Sequence, residues 1–328
     1  MEIQTSNGKK SGRFKKFIIR YFLLIVLLIV GIMFTLFVPS FASPSNLLDI
    51  LGSTCITGIM AIGMTFVMIT GEIDFAASAE LSLGGCLVAA LMNIKGMPSY
   101  LLAVMITLAL MSLVGLANKL IHVNIGVPSF IGTMAVSTFV SGVLRYVTNG
   151  IVIFNMKWPD SFRFLGQAYV AGVIPVMAIV FILVVAVAYF TTEYTKFGMR
   201  LRAIGMNPVT SRHVGINVKR YKTWAFTICS IVVGFAGIIQ VSQLNMADPY
   251  LGDATIITCL SACMLGATFY RVGEFNVLGS AVAALLLAEL SKGITMLGVS
   301  LYWRNVVQGI VLLIAIGTVS MIRKSHNG

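Results

Sequence analysis

Few side chains in this sequence can do chemistry: there are 11 acids and 3 histidines among 328 residues. The densest acidic group is Gly71-Glu-Ile-Asp-Phe-Ala-Ala-Ser78 with Glu80 just beyond, which sets three carboxylates between two apolar runs. Acids at membrane depth are costly and usually functional. The same residues in a short surface turn would simply be wet, and the segment leaves both readings open. Glu289 lies inside a later apolar run, either as an intramembrane acid or snorkelling near the helix end beside Lys292. His122, His213 and His326 are scattered, and Cys259 and Cys263 share a helix face with no third ligand near, so no metal site is expected. The sequence has no G-x-x-x-x-G-K-[ST] phosphate loop, no H-E-x-x-H and no Ser-His-Asp order. No catalytic residues and no ATPase of its own are expected.

A second segment is informative through its caps. Asn207-Pro208-Val-Thr-Ser-Arg-His-Val-Gly215 reads as a two-turn helix. Asn207 can cap the first amides, and Pro208 fits the first helical position, where its missing N–H costs nothing. Arg212 and His213 fall in the last turn, where the helix dipole favours cations. Gly215 can end the helix in the left-handed conformation. So short a helix is unstable alone in water and must dock on something. From the residues alone that is either a partner protein, met through Thr210, Arg212 and His213, or the membrane surface.

The elements that must position these segments follow from composition. Hydrophobic residues make up 58% of the chain and charged residues 10%, with a mean hydropathy of +0.95. A soluble domain of this length could not hide so much apolar surface, so lipid is the solvent for most of the chain. The apolar runs are continuous rather than alternating, which excludes a β-barrel. Ten runs are long enough to matter: residues 18–38, 47–70, 79–94, 99–117, 129–147, 171–191, 223–244, 254–269, 276–295 and 302–322. The expected fold is all-α and polytopic, with about ten transmembrane helices.

Charge sets the orientation. Lys9, Lys10, Arg13, Lys15, Lys16 and Arg20 precede or open the first run, which is too long for a signal peptide's apolar core and is read as a retained span. Lys196, Arg200, Arg202, Arg212, Lys219, Arg220 and Lys222 crowd residues 193–222, and Arg323 and Lys324 follow the last run. Together these are fifteen of the 23 basic residues, and such clusters mark the cytoplasmic side. Six spans before the central loop and four after it keep all three clusters on that side, with both termini cytoplasmic. The segment 148–170, with Asp160, and the segment carrying Asp248 and Asp253 then face outside. The expected organisation is a basic tail over 1–17, one transmembrane domain over 18–322 with a cytoplasmic loop at about 193–222, and a tail over 323–328. The net charge of +12 is accounted for by this asymmetry, without nucleic acid. Gly63-Met-Thr-Phe66 with Gly71-Glu-Ile-Asp74 is echoed by Gly266-Ala-Thr-Phe269 with Gly273-Glu-Phe-Asn276, a faint sign of an internal repeat.

At these same residues the chain resembles the permease subunits of bacterial ATP-binding-cassette importers for monosaccharides, the ribose, xylose, arabinose and galactose group, which includes permeases for autoinducer-2. The family's Gly-Gly-Ile-Asp-Leu-Ser signature is matched by Gly71-Glu-Ile-Asp-Phe-Ala76, and its Pro-Phe-Ile-x-Thr stretch by Pro128-Ser-Phe-Ile-Gly-Thr133. Its loop pattern is matched by Ala203-Ile-Gly-Met-Asn207 and Gly215-Ile-Asn-Val218, and its later glycine-rich stretch by Leu265-Gly-Ala-Thr268 and Gly273 to Gly279. Glu72 stands for a glycine, Phe75-Ala76 for Leu-Ser, and Thr210-Ser211 for two alanines.

The resemblance implies a permease subunit in a bacterial inner membrane. It implies a translocation path formed with a second copy or a related permease, separate ATPase subunits that bind ATP-Mg, and an extracytoplasmic binding protein that delivers the substrate. No cofactor is implied in this chain. It makes Asn207, Pro208, Thr210, Arg212, His213 and Gly215 the loop that couples to the ATPase, and Gly71, Glu72, Asp74, Pro128, Phe130 and Thr133 family-motif and candidate pathway residues. The alternative is an ion-coupled secondary transporter of a small polar solute, for which Glu72, Asp74 and Glu289 would be the relay.

Overall fold

Helix starts in this chain are written by capping residues. In the computed structural model Ser43, Ser99, Asn207, Asn217 and Asn276 each accept a backbone N–H from the first turn of the helix that follows. The structure describes residues 5–93, 99–121 and 125–300, and beyond them 302–303, 306–314 and 317; side chains are described from residue 21 onward. His122, His326, the basic side chains of residues 9–20 and the tail at 323–328 lie outside the described residues, as does part of the expected tenth span.

The helices are α1 (Thr5–Phe37), α2 (Pro44–Ile69), α3 (Ala76–Asn93), α4 (Tyr100–Lys119), α5 (Ser129–Thr148), α6 (Asp160–Gln167), α7 (Val176–Tyr194), α8 (Lys196–Met206), α9 (Pro208–His213), α10 (Val218–Leu244), α11 (Leu251–Gly266) and α12 (Val277–Met296). Seven of them, α2, α3, α4, α5, α7, α10 and α12, are long and apolar enough to cross a membrane, and the apolar part of α1 (Tyr21–Phe37) and α11 are shorter. The chain is a multi-pass, nearly all-α membrane protein. Its strands are two-residue pieces: β1 (Ile153–Phe154) pairs antiparallel with β4 (Met246–Ala247), and β2 (Tyr169–Val170) with β3 (Ile174–Pro175).

Two expectations are corrected here. The segment before α7 is not a plain loop, because α6 lies against α10: Gly166 N–H donates to Ser242 Oγ at 2.8 Å, and Trp158 and Phe162 are buried. The sixth apolar run does not begin its helix at Ala171. Ala171 and Gly172 have positive φ and turn the β2–β3 hairpin, so the helix starts only after Pro175. An apolar run read without its turn chemistry overextends by this hairpin.

Helix α10 is the centre of the bundle, packed on α2, α3 and α4. It runs parallel to α3: Glu80 meets Ser230, Gly84 meets Gly234, and Gly85 meets Gly237 and Val241. Backbones approach this closely only where side chains are missing, which is how helices associate in lipid. A Cβ on Gly84 would sit 2.4 Å from the Gly234 carbonyl oxygen, and one on Gly237 would sit 2.1 Å from that of Leu81.

Tertiary contacts assign the loops to two ends. At one end the basic segment 193–222 meets the turn after α2, through a Lys222–Glu72 ion pair, and the turn after α11, through Arg271 and Glu193. At the other end lie the β1–β4 pair, the Arg145–Asp253 pair, the bond from Trp158 Nε1 to Asn93, and the Lys292–Asp49 pair at 2.7 Å. Lys292 is thus committed to Asp49 and does not draw out Glu289. Glu289 faces Gly31 of α1 in an apolar groove of about 570 Å³.

The α3–α10 contact makes a direct expectation. Gly84→Val must push two backbones apart and should cost about 1–3 kcal/mol or more, seen as a lower melting midpoint in detergent and poorer membrane accumulation. Gly142→Ala, with nothing within 4 Å of the new Cβ, should behave as wild type. Equal melting of the two variants would contradict the close packing.

Candidate functional site

The exposed tip of the basic end is built by local chemistry. Thr195 caps α8 through Gly198 N–H at 3.3 Å. Asn207 Oδ1 then accepts the N–H groups of Val209 and Thr210, both at 3.0 Å, and Pro208 opens α9. Gly215 stands at φ +81°, and Gly215 N–H reaches Arg212 C=O while Ile216 N–H reaches Ser211 C=O, both at 3.0 Å. This pairing of bonds closes a helix C-terminus on a left-handed glycine. Thr210, Arg212 and His213 are exposed and Ser211 is turned inward. Met206, Val209 and Val214 expose apolar side chains on the same tip, at 82%, 58% and 71%.

The second site residue group assembles around the α2–α3 turn. Gly71 leaves α2 with φ +84°, a conformation that glycine adopts without strain. Asp74 is buried and caps α3: its Oδ1 accepts Ala76 N–H at 2.9 Å. Helix α5, which starts after Pro128, fastens the turn from the side. Thr133 Oγ1 accepts Phe75 N–H at 3.0 Å, and the Phe75 and Phe130 rings meet edge-on with centroids 6.0 Å apart. Ser78 and Ser137 hydroxyls bond at 2.9 Å. The structure therefore brings Gly71, Asp74, Pro128, Phe130 and Thr133 into one place. It keeps them apart from α9; among the described residues the Glu72–Lys222 pair and Gly205 of α8, where a Cβ would lie 2.0 Å from Ile69 C=O, connect the two ends of this region.

Of the acids whose setting was open, Glu72 is paired and Asp74 and Glu80 are fully buried. Glu80 Oε1 accepts Ser230 Oγ at 2.5 Å and Asn118 Nδ2 at 3.3 Å, and the same amide reaches Asp74 Oδ2 at 3.5 Å. Cys229 completes a cluster in which ligand atoms of Asp74, Glu80 and Cys229 all lie within 4.8 Å of one another. Such a donor set can hold a proton or a cation. No partner answers Glu80 Oε2 or Asn118 Oδ1 among the described residues. Sequence reasoning missed Asn118, Cys229 and Ser230, since nothing local ties them to an acid 38 to 150 positions away.

Of a third group, Arg202 reads in the sequence as positive charge and Glu274 as part of the Gly273–Asn276 echo. Glu193, at the end of α7, bonds Arg202 of α8 through one oxygen and Arg271 through the other, the latter at 2.6 Å. Arg271 and Arg202 also approach Glu274 Oε2, at 3.5 and 3.9 Å. Partial burial opposes the charge on Arg271, but Glu193 and Glu274 outweigh it and hold the guanidinium above its ordinary value.

Residues 46–316 match the family model described as the branched-chain amino acid transport system / permease component. The chain belongs to this permease family. Among curated relatives it is 33% identical to the ribose import permease protein RbsC of Bacillus subtilis over 290 residues, covering 88% of this chain and 89% of the relative. It is 31% identical to RbsC of Escherichia coli K12 over 321 residues (96% and 98%), and 28% identical to the xylose transport system permease protein XylH of the same strain over 336 residues (84% and 85%). Permease components are transport subunits, which accords with a sequence that carries no phosphate loop.

The acid cluster separates two variants. Asn118→Leu removes the amide that serves both carboxylates and should cost about 1–3 kcal/mol, read as the detergent melting midpoint. Glu80→Gln removes one of two facing carboxyl groups and keeps a hydrogen-bonding group, so it should cost less. A larger loss for Glu80→Gln than for Asn118→Leu would refute opposition between the carboxylates.

Proposed function

We propose that this permease subunit imports a sugar or sugar-like small molecule across a bacterial inner membrane, driven by ATP hydrolysed on separate ATPase subunits. Relatives named for ribose and xylose supply the substrate class. The path forms with a second copy or a related permease, and an extracytoplasmic binding protein delivers the substrate. About ten spans cross the membrane, with both termini and the basic loop in the cytoplasm, as the distribution of Lys and Arg favours. In this reading α9 docks on the ATPase. Asn207, Pro208 and Gly215 shape it; Thr210, Arg212 and His213 make the contact.

The observation that carries the docking role is the tip itself. Met206, Val209 and Val214 are exposed at the basic end, beside Arg212 and His213. Apolar side chains clustered on a water-facing tip mark a protein contact, and flanking cations steer an acidic partner. The Gly71–Asp74 turn, with Phe130 and Thr133, then sits between the tip and the membrane interior, where substrate would pass.

The test uses the complex purified from native membranes by a tag on this chain and reconstituted in proteoliposomes. Gly215→Val imposes a β-branched side chain on a φ of +81°. It should leave insertion intact and abolish both uptake and substrate-stimulated ATP hydrolysis. Arg212→Glu should weaken ATPase association more at low salt than at high salt. Wild-type rates in both variants would reduce this segment to a surface loop.

A further inference from the structure

We propose that Glu193 is the positioning residue that carries motion of the coupling segment into the helix bundle, by clamping α8 to the α11–α12 turn. The proposal rests on the reading of α9 as the ATPase contact.

The geometry makes Glu193 a bridge rather than a single pair. Its side chain is 5% exposed and each oxygen is taken by a different arginine, Arg202 from α8 and Arg271 from the turn. Arg202 is itself 14% exposed and donates to Thr192 C=O at 2.9 Å, so it is fixed to the end of α7. Glu274 closes the group from the far side of the turn. One carboxylate thus links α7, α8 and the start of α12.

The turn it grips is stiff. Gly273 has φ +88°, and Gly273 N–H bonds Ala267 C=O at 2.8 Å. Asn276 is 1% exposed and donates to the carbonyls of Gly266, Phe269 and Glu274, while its Oδ1 accepts Gly279 N–H at 2.8 Å. The hydroxyls of Tyr189 (α7) and Tyr270 meet at 3.0 Å beside it. A rigid turn held to α7 and α8 by ion pairs centred on the buried Glu193 carboxylate moves with α8, and α12 follows because Asn276 caps it.

This turn and the one after α2 share one design. Gly71 and Gly273 both have positive φ, Asp74 and Asn276 both cap the next helix, and Glu72 and Glu274 both face cations near the coupling segment. The echo in sequence is an echo in structure. The coupling segment therefore has two parallel linkages into the bundle, and the one through Glu193 is the more extensive.

The test measures uptake of radiolabelled ribose and xylose and ATP hydrolysis together, in the complex purified from native membranes. The readout is sugar moved per ATP, which a smaller folded fraction leaves unchanged. Glu193→Gln and Arg271→Met should each lower this ratio by at least about tenfold while the ATPase subunits still co-purify. Glu193→Asp, which keeps the charge, should retain more of it. Arg163→Met breaks an exposed pair with Asp160 on a different element and should leave the ratio unchanged. A wild-type ratio in Glu193→Gln and Arg271→Met overturns the clamp. If the wild-type complex moves neither these sugars nor other labelled monosaccharides and polyols in an ATP-dependent way, the underlying importer reading fails instead.

Discussion

A backbone N–H at a buried helix start has no water to turn to, so each such start must be answered by the protein itself. The rest of this structure depends on how that is done. The answer at the two breaks nearest the coupling segment is a short polar side chain, Asp74 at the start of α3 and Asn276 at the start of α12. Asn276 uses every polar atom of its amide, three carbonyls on one side and an N–H on the other. With its donors and acceptor satisfied, the turn is held in one geometry.

Fixed turns give the helices fixed starting points, and the close packing follows from them. Helix α3 begins at the Asp74 cap and lies along α10 with glycine against glycine. Asp74 also fixes where Glu80 falls, one turn and a half further on, against Ser230 and Asn118. The acid cluster is thus a consequence of the cap and the close α3–α10 approach together. The charged layer outside it, Glu72 with Lys222 and Glu193 with its two arginines, connects the same turns to α8 and α10. The proposed docking of a partner on α9 needs such a connection, because packed helices shift between discrete arrangements rather than bending continuously.

What the sequence disclosed depended on how local the determinant was. The short helix at Pro208 was legible with its caps, ending one residue earlier than read, since those caps lie within nine positions and owe nothing to the rest of the fold. Seven of the ten apolar runs were legible as membrane-length helices, with an error at Ala171 where a hairpin was hidden in the run. The acids were found but their setting was not. Glu72, Asp74 and Glu80 lie within nine positions, yet one is paired and two are buried, and the partners that decide this come from α4 and α10. The link from Glu193 to Arg271 drew no attention, because a clamp between distant elements has no signature in either segment. The match of Gly71–Asp74 with Gly273–Asn276 was visible as a faint echo and acquired meaning only from the shared φ and caps.

The central claim is that the capped turns and the coupling segment form one mechanical unit. Hydrogen exchange in the purified complex tests it most directly, comparing wild type with Asn276→Ala. Loss of the cap must speed exchange at residues 277–279, whose first amides it serves. If the turn and α8 are one unit, exchange also rises across residues 196–206, which Asn276 does not touch. An increase confined to 277–279, with α8 protected as in wild type, would contradict the account.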